Sequence, residues 1–171
     1  MTHKIDLEND KSIEIFIKDS IASIKFQNYV LFNDSSVEGL SVLKKMLESA
    51  LHDELEISSE IKRTSIGLWW NDYTDSYDDD GVIEEEDLTE KFWLWSTRYI
   101  QSWLFNNNGK IYLEISLSYP WHFVNPNEGE KFISYQEFRS TFEPIVVIEI
   151  LPERAKIIIE ECNKLINNIK N

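Results

Sequence analysis

Apolar and polar positions alternate along the chain with two periods, and the switches between them mark out the predicted elements. Ile13, Ile15 and Ile17 alternate with Glu14, Phe16 and Lys18, the period-two pattern of a strand with one buried face. Asp19-Ser20 suits a turn into a second extended run, Ile21 to Phe32, so the fold is expected to start on a β-hairpin, with His3 in a frayed terminus. Ser35 and Glu38 then stand at capping-box spacing, where hydroxyl and carboxylate each satisfy an orphan amide of a first helical turn. Apolar residues at 37, 40, 43, 47, 50 and 51 fall on one face and predict a helix to about His52, packed on the sheet. Residues 54–62 are too sparsely apolar to assign. Thr64 to Tyr73 (TSIGLWWNDY) has the β-branched and aromatic composition of a strand.

The sharpest local signal is a second hairpin. Phe92 to Phe105 (FWLWSTRYIQSWLF) meets Lys110 to Ser118 (KIYLEISLS) through an Asn108-Gly109 turn, since both residues tolerate positive φ. That turn sets Leu104 opposite Leu113, Ser102 opposite Ile115 and Ile100 opposite Leu117, an apolar face. The other face then carries Tyr99, Trp103, Phe105 and Tyr112, with Glu114 opposite Trp103. So aromatic a face needs a cover, and a helix is expected there rather than a partner. Further on, Ser134 and Glu137 repeat the capping box and start a short helix to about Phe142, which Pro144 stops. Ile145 to Ile150 (IVVIEI) suits a central strand. Pro152 suits the first position of a last helix whose stripe is Ala155, Ile158, Ile159, Cys162, Leu165, Ile166 and Ile169. This order predicts a single α+β domain over residues 1–171, a largely antiparallel sheet with helices packed on one face.

Charge changes the picture in one place. The 171 residues carry 17 basic and 31 acidic side chains, a net of −14. Ten carboxylates and no Lys or Arg lie between Asp72 and Glu90, so this stretch supplies −10 of that total. Aromatic residues flank it: Trp69, Trp70, Tyr73 and Tyr77 before, Phe92, Trp93 and Trp95 after. The stretch reads as a long loop between two strands, and loops of that length in compact domains are commonly functional. Nucleic acid and anionic membranes are disfavoured as partners, because both need Lys or Arg to replace their counterions. A basic protein is favoured. One cysteine, Cys162, cannot close an internal disulfide, and no run of signal-peptide or membrane-spanning length occurs, so a cytoplasmic protein is expected.

No motif points to catalysis. His122, between Trp121 and Phe123, has surroundings that could build a site, yet no Ser or Cys is marked as its nucleophile, and no cofactor loop occurs among five glycines. A calcium-loop template with Gly81 at its sixth position puts Ser76 first, Asp78 third, Asp80 fifth, Glu84 ninth and Asp87 twelfth. Ser and Asp at the two end positions, and a preceding segment that reads as strand, argue against a dedicated metal loop. Neither a metal nor a cofactor is expected. The candidate partner-binding residues are Trp69, Trp70, Tyr73, Asp75, Tyr77, Asp78, Asp79, Asp80, Glu84, Glu85, Glu86 and Asp87. Trp and Tyr supply rigid contact area, and clustered carboxylates steer a cationic partner.

The segments WLWSTRYIQSWLF, LEISLSYPWHF and FEPIVVIEILPERAKIIIEECNKLI, in a small acidic chain rich in Asn, Ile and Lys, give a size, charge and layout that resemble the bacterial immunity proteins of contact-dependent growth inhibition systems. The resemblance implies a non-enzymatic protein that neutralises a cognate toxin by covering its active site, the toxin being a basic nuclease-like domain. A nucleic-acid mimic acting on a DNA-binding protein and a cation-regulated module are the alternatives that the same charge allows.

Overall fold

The computed structural model describes residues 1–76 and 91–170, and shows an α+β fold. Its first sheet is an antiparallel meander in the order β1 (Thr2–Asp6), β2 (Ser12–Lys18), β3 (Ile21–Phe26) and β4 (Tyr29–Ser35). The Asp19-Ser20 turn occurs as expected, with both residues at positive φ, 50° and 67°, and Lys18 opposite Ile21. Two expectations change here. The extended run from Ile21 is two strands, because the chain turns back at Gln27, φ 52°, and Tyr29 pairs with Phe26. His3 is not frayed: it lies in β1 opposite Ile15, a strand held because Ile5 and Leu7, each 1% exposed, enter the core.

The second sheet has the order β5 (Trp93–Ser96), β6 (Ile100–Asn107), β7 (Lys110–Leu117) and β8 (Val146–Ile150), again antiparallel. The β6–β7 hairpin has the register that its turn predicts, with Leu104 opposite Leu113, Ser102 opposite Ile115 and Trp103 opposite Glu114. Asn108 and Gly109 carry the positive φ values, 53° and 74°. Strand β8 is an edge strand rather than a central one. Ile148 and Ile150 are buried, whereas Val147 is 48% exposed, so its β-branched run is apolar on both faces but covered on one.

Helices α1 (Ser36–Leu51) and α4 (Pro152–Lys170) form as the spacing predicts. Ser35 caps α1, accepting from the Glu38 amide at 3.5 Å. The α4 stripe buries Ala155, Ile158, Cys162, Leu165 and Ile166 against the core. Short α3 (Tyr135–Ser140) starts under the cap of Ser134, which accepts from the Glu137 amide at 3.2 Å. Helix α1 touches strands of both sheets, so one continuous hydrophobic core runs between them.

The main departure is TSIGLWWNDY, which is not a strand. It forms α2 (Ile66–Asp75), capped by Ser65, whose hydroxyl accepts from the Leu68 amide at 2.9 Å. Its spacing explains why. Ile66 and Trp70, Gly67 and Asn71, and Trp69 and Tyr73 are each four apart and so share helical faces. Gly67 and Asn71, with Trp70, turn toward the second sheet and meet Glu114, Leu117 and Trp103 there. Helix α2 therefore covers the β6–β7 face opposite α1, so the helices lie on both faces of that sheet. The cover required by Trp103 and its neighbours is a helix, as expected.

Candidate functional site

One buried carboxylate seats the start of α2. Glu114, 2% exposed, accepts through Oε1 from the Gly67 amide at 2.9 Å and the Ser116 hydroxyl at 2.5 Å. Helix N-termini carry orphan amides and a partial positive charge, so a carboxylate oxygen there is favourable. Burial raises the Glu114 pKa above the ordinary carboxyl value, against the pull of these same bonds. The helix can approach this closely because position 67 has no side chain: an added Cβ would lie 2.7 Å from Ser116 Oγ and 2.8 Å from Glu114 Oε1.

Asn71 pins the middle of the helix. Fully buried, it donates through Nδ2 to the Gly67 carbonyl at 2.9 Å and the Leu117 carbonyl at 3.1 Å, and accepts through Oδ1 from the Tyr119 amide at 2.9 Å. Gln101 Nε2 joins the same two carbonyls, at 3.1 and 2.8 Å. These bonds hold one face of α2 rigidly, which fixes the direction of the other.

The aromatic residues before the acidic stretch form a ladder. Buried Trp103 meets Trp70 at 5.9 Å between ring centroids, Trp70 meets Tyr73 at 5.9 Å, and Tyr73 stacks on Trp69 at 5.1 Å with planes 10° apart. Trp69, Trp70 and Tyr73 are all half-buried. They are neither core residues nor free surface, but a stepped platform that begins in the sheet and ends at solvent. After the stretch the rings divide differently. Phe92 and Trp95 are 2% exposed, the Trp95 indole donating to the Gly39 carbonyl at 3.1 Å, whereas Trp93 is 42% exposed.

The first two carboxylates of the stretch have separate fates. Asp72 accepts from the Tyr135 hydroxyl at 2.8 Å and from Arg139 Nε and Nη2 at 2.7 and 3.1 Å, a two-pronged ion pair to α3. Burial raises its pKa, but the Arg139 and Tyr135 bonds outweigh this and hold it below the usual carboxylate value. Asp72 is thus spent inside the fold. Asp75, the last residue of α2, has a side chain 44% exposed, with Oδ1 3.5 Å from His122 Nδ1. Tyr77, Asp78, Asp79, Asp80, Glu84, Glu85, Glu86 and Asp87 lie outside the described residues, as does most of the calcium-loop template. A helix rather than a strand does precede that template, which removes one objection to it and leaves the objection from Ser76 and Asp87 in place. Among the described residues no group of three His, Cys, Asp or Glu side chains could hold a metal ion.

One organising residue, Glu130, carries no sequence signal of its own. Glu130 accepts from the Tyr99 hydroxyl, from Arg98 Nη2 at 3.0 Å, from the Trp121 indole at 3.2 Å and from the Asn127 amide at 2.6 Å. The Tyr99 and Asn127 bonds lower its pKa to about 2. This clasp ties the chain after β7 to the turn before β6. The turn-forming run Asn125-Pro126-Asn127-Glu128-Gly129 beside Glu130 is a local sequence signal for a turn, but not for this clasp. Cys162 is buried on α4, and desolvation pushes its thiol up to about 12, which makes it a core residue and not a nucleophile.

Compared with protein-family models, with curated proteins and with solved structures, the chain matches none of them. No helix among the described residues is long and apolar enough to cross a membrane.

Proposed function

We propose that this chain is a binding protein that neutralises a basic protein partner, and that the partner is a toxin domain for which it acts as the immunity protein. The observation that carries this reading is the junction at the end of α2. A helix locked onto the sheet by Glu114 and Asn71 presents the half-buried rings of Trp69, Trp70 and Tyr73, and continues directly into the stretch that holds −10 of the chain's −14 charge.

The two parts suit complementary tasks. Rigid aromatic side chains offer contact area with little conformational entropy left to lose, the composition of binding hot spots. Clustered carboxylates accelerate encounter with a cationic surface by roughly 10- to 1,000-fold at low salt, and pair with the Lys and Arg that a nuclease uses to hold phosphates. Occlusion of such a surface inhibits without chemistry, so the reading needs no nucleophile, metal or cofactor.

The test is co-expression and pulldown with the product of the neighbouring gene, followed by association kinetics on the complex that forms. Replacing Asp78, Asp79 and Asp80 together by Asn is expected to slow association about tenfold or more at low ionic strength and to flatten its salt dependence. Trp69→Ala is expected to leave the association rate nearly unchanged and to speed dissociation. An association rate that is the same with and without the three carboxylates sinks the mechanism.

A further inference from the structure

His122 is a titratable residue with a largely enclosed side chain that the binding surface does not use. It lies beyond β7, its side chain is 8% exposed, and its ring packs edge-on against Tyr119 at 4.9 Å and tilted against Tyr135 at 5.3 Å. Each ring nitrogen faces an oxygen. Nε2 is 3.5 Å from Asn71 Oδ1, and Nδ1 is 3.5 Å from Asp75 Oδ1, with no hydrogen-bond partner of its own.

The tautomer follows from Asn71. Its amide cannot turn over, because Nδ2 already donates to the Gly67 and Leu117 carbonyls while Oδ1 takes the Tyr119 amide. A flip would oppose like groups at all three contacts. Nε2 meets Asn71 Oδ1 in hydrogen-bonding geometry, whereas Nδ1 has no hydrogen-bond partner, so the neutral ring is assigned as the Nε2–H form. Its Nδ1 lone pair then points at a carboxylate oxygen. Neutral imidazole and ionised Asp75 oppose two acceptors across that gap.

We infer that His122 and Asp75 form a proton-operated latch between the segment that follows β7 and the last turn of α2. One proton placed between Nδ1 and Asp75 Oδ1 turns two opposed acceptors into a charge-assisted hydrogen bond, and its loss reopens the contact. The turn that the latch holds is the one from which the acidic stretch departs.

The surrounding charges define when it closes. From α2, Asp75 faces Nδ1 directly, while Asp72 one turn earlier is neutralised by Arg139 of α3. From α3 and the segment after β7 come the phenols of Tyr135 and Tyr119, which pack on the ring without bonding to its nitrogens. The α2 C-terminus favours a cation as well. Burial acts against all of this and leaves the His122 pKa below its ordinary 6.5 in spite of Asp75. The latch therefore closes below neutral pH. Because the unfolded chain takes up this proton first, global stability falls as pH drops through 6.5 and levels off once folded His122 is protonated. Local tightening against a global decline is what separates a latch from ordinary acid destabilisation.

Nitrogen-resolved NMR of the His122 ring between about pH 8 and about pH 4 tests this, with His122→Gln used only to assign the resonance. Expected are the Nε2–H tautomer at high pH and, in Asp75→Asn, a proton affinity about tenfold lower. Asp75 is partly exposed, so that variant should keep the fold. The Ser76 amide, which bonds to the Asp72 carbonyl at 3.1 Å, should gain exchange protection on protonation in the parent protein and not in Asp75→Asn. An Nδ1–H tautomer, an unchanged His122 pKa in Asp75→Asn, or equal Ser76 protection in both proteins would overturn the latch.

Discussion

Two segments rich in aromatic residues fold in opposite ways. TSIGLWWNDY and FWLWSTRYIQSWLF each carry at least two Trp and a Tyr, yet the first forms helix α2 and the second supplies strands β5 and β6. The difference lies in their ends and their spacing. The strand segment closes on Asn108-Gly109, whose left-handed backbone turns the chain straight back, so its rings pair across strands. The helical segment starts on Ser65, which caps its first turn, and its large side chains recur every fourth residue. Aromatic content reports that a segment is buried on one side. It does not report which backbone does the burying.

The two segments meet at Trp103, and the comparison is most severely broken there. Trp103, 1% exposed, lies between β5 and α2, with Trp93 beside it in register and Trp70 above it. Trp103→Ala is expected to cost about 3 to 5 kcal/mol. Chemical denaturation measures it, and a loss below about 1 kcal/mol would mean that α2 does not rest on this ring.

A smaller effect tests how closely the helix sits. Alanine in a helix is ordinarily favoured over glycine by about 1 kcal/mol. At position 67 the added methyl would press on Ser116 and Glu114, beneath the helix. Gly67→Ala is therefore expected to destabilise by about 1 to 3 kcal/mol, the opposite sign to the helical propensity. A stabilised variant would show that α2 stands off the sheet.

The mildest change separates the charges at the two ends of the helix by the sign of their pH dependence. Burial raises the Glu114 pKa, so its contribution is fully present below the ordinary value of 4.5 and is lost as pH rises through the folded value. Asp72, held low by Arg139 and Tyr135 in spite of burial, contributes above its ordinary 3.8 and loses that contribution as pH falls. Glu114→Gln should therefore gain stability relative to the parent as pH rises from 4.5 toward neutrality, read from urea midpoints at each pH. Asp72→Asn should instead lose stability relative to the parent at neutral pH, and the deficit should shrink on acidification. The same trend in both variants would mean that the two carboxylates do not occupy opposite environments.

How much of this was legible depends on how far apart the deciding residues lie. Caps act over three residues and a two-residue turn over four, so α1, α4, the Asp19-Ser20 turn and the whole register from Ile100 to Leu117 could be read directly from the chain. The α+β class followed from those elements. The acidic stretch and its flanking rings were also legible, because charge and aromatic clustering are properties of neighbouring residues.

What could not be read was set by residues far apart in the chain. That α2 is a helix is locally encouraged by Ser65, but its seat depends on Glu114 and Tyr119, more than forty residues away. The placing of β8 at the sheet edge, the burial of Glu114 and the use of Asp72 by Arg139 are likewise decided by which surfaces meet. By itself, then, the sequence determined the local elements and where the charge is concentrated. The tertiary structure decided which rings form the platform, which carboxylates are consumed in the fold and which face a titratable partner. The physical reason is burial: desolvation and hydrogen bonding across the chain settle the role of a charged or aromatic side chain, and neither exists until the surfaces have packed.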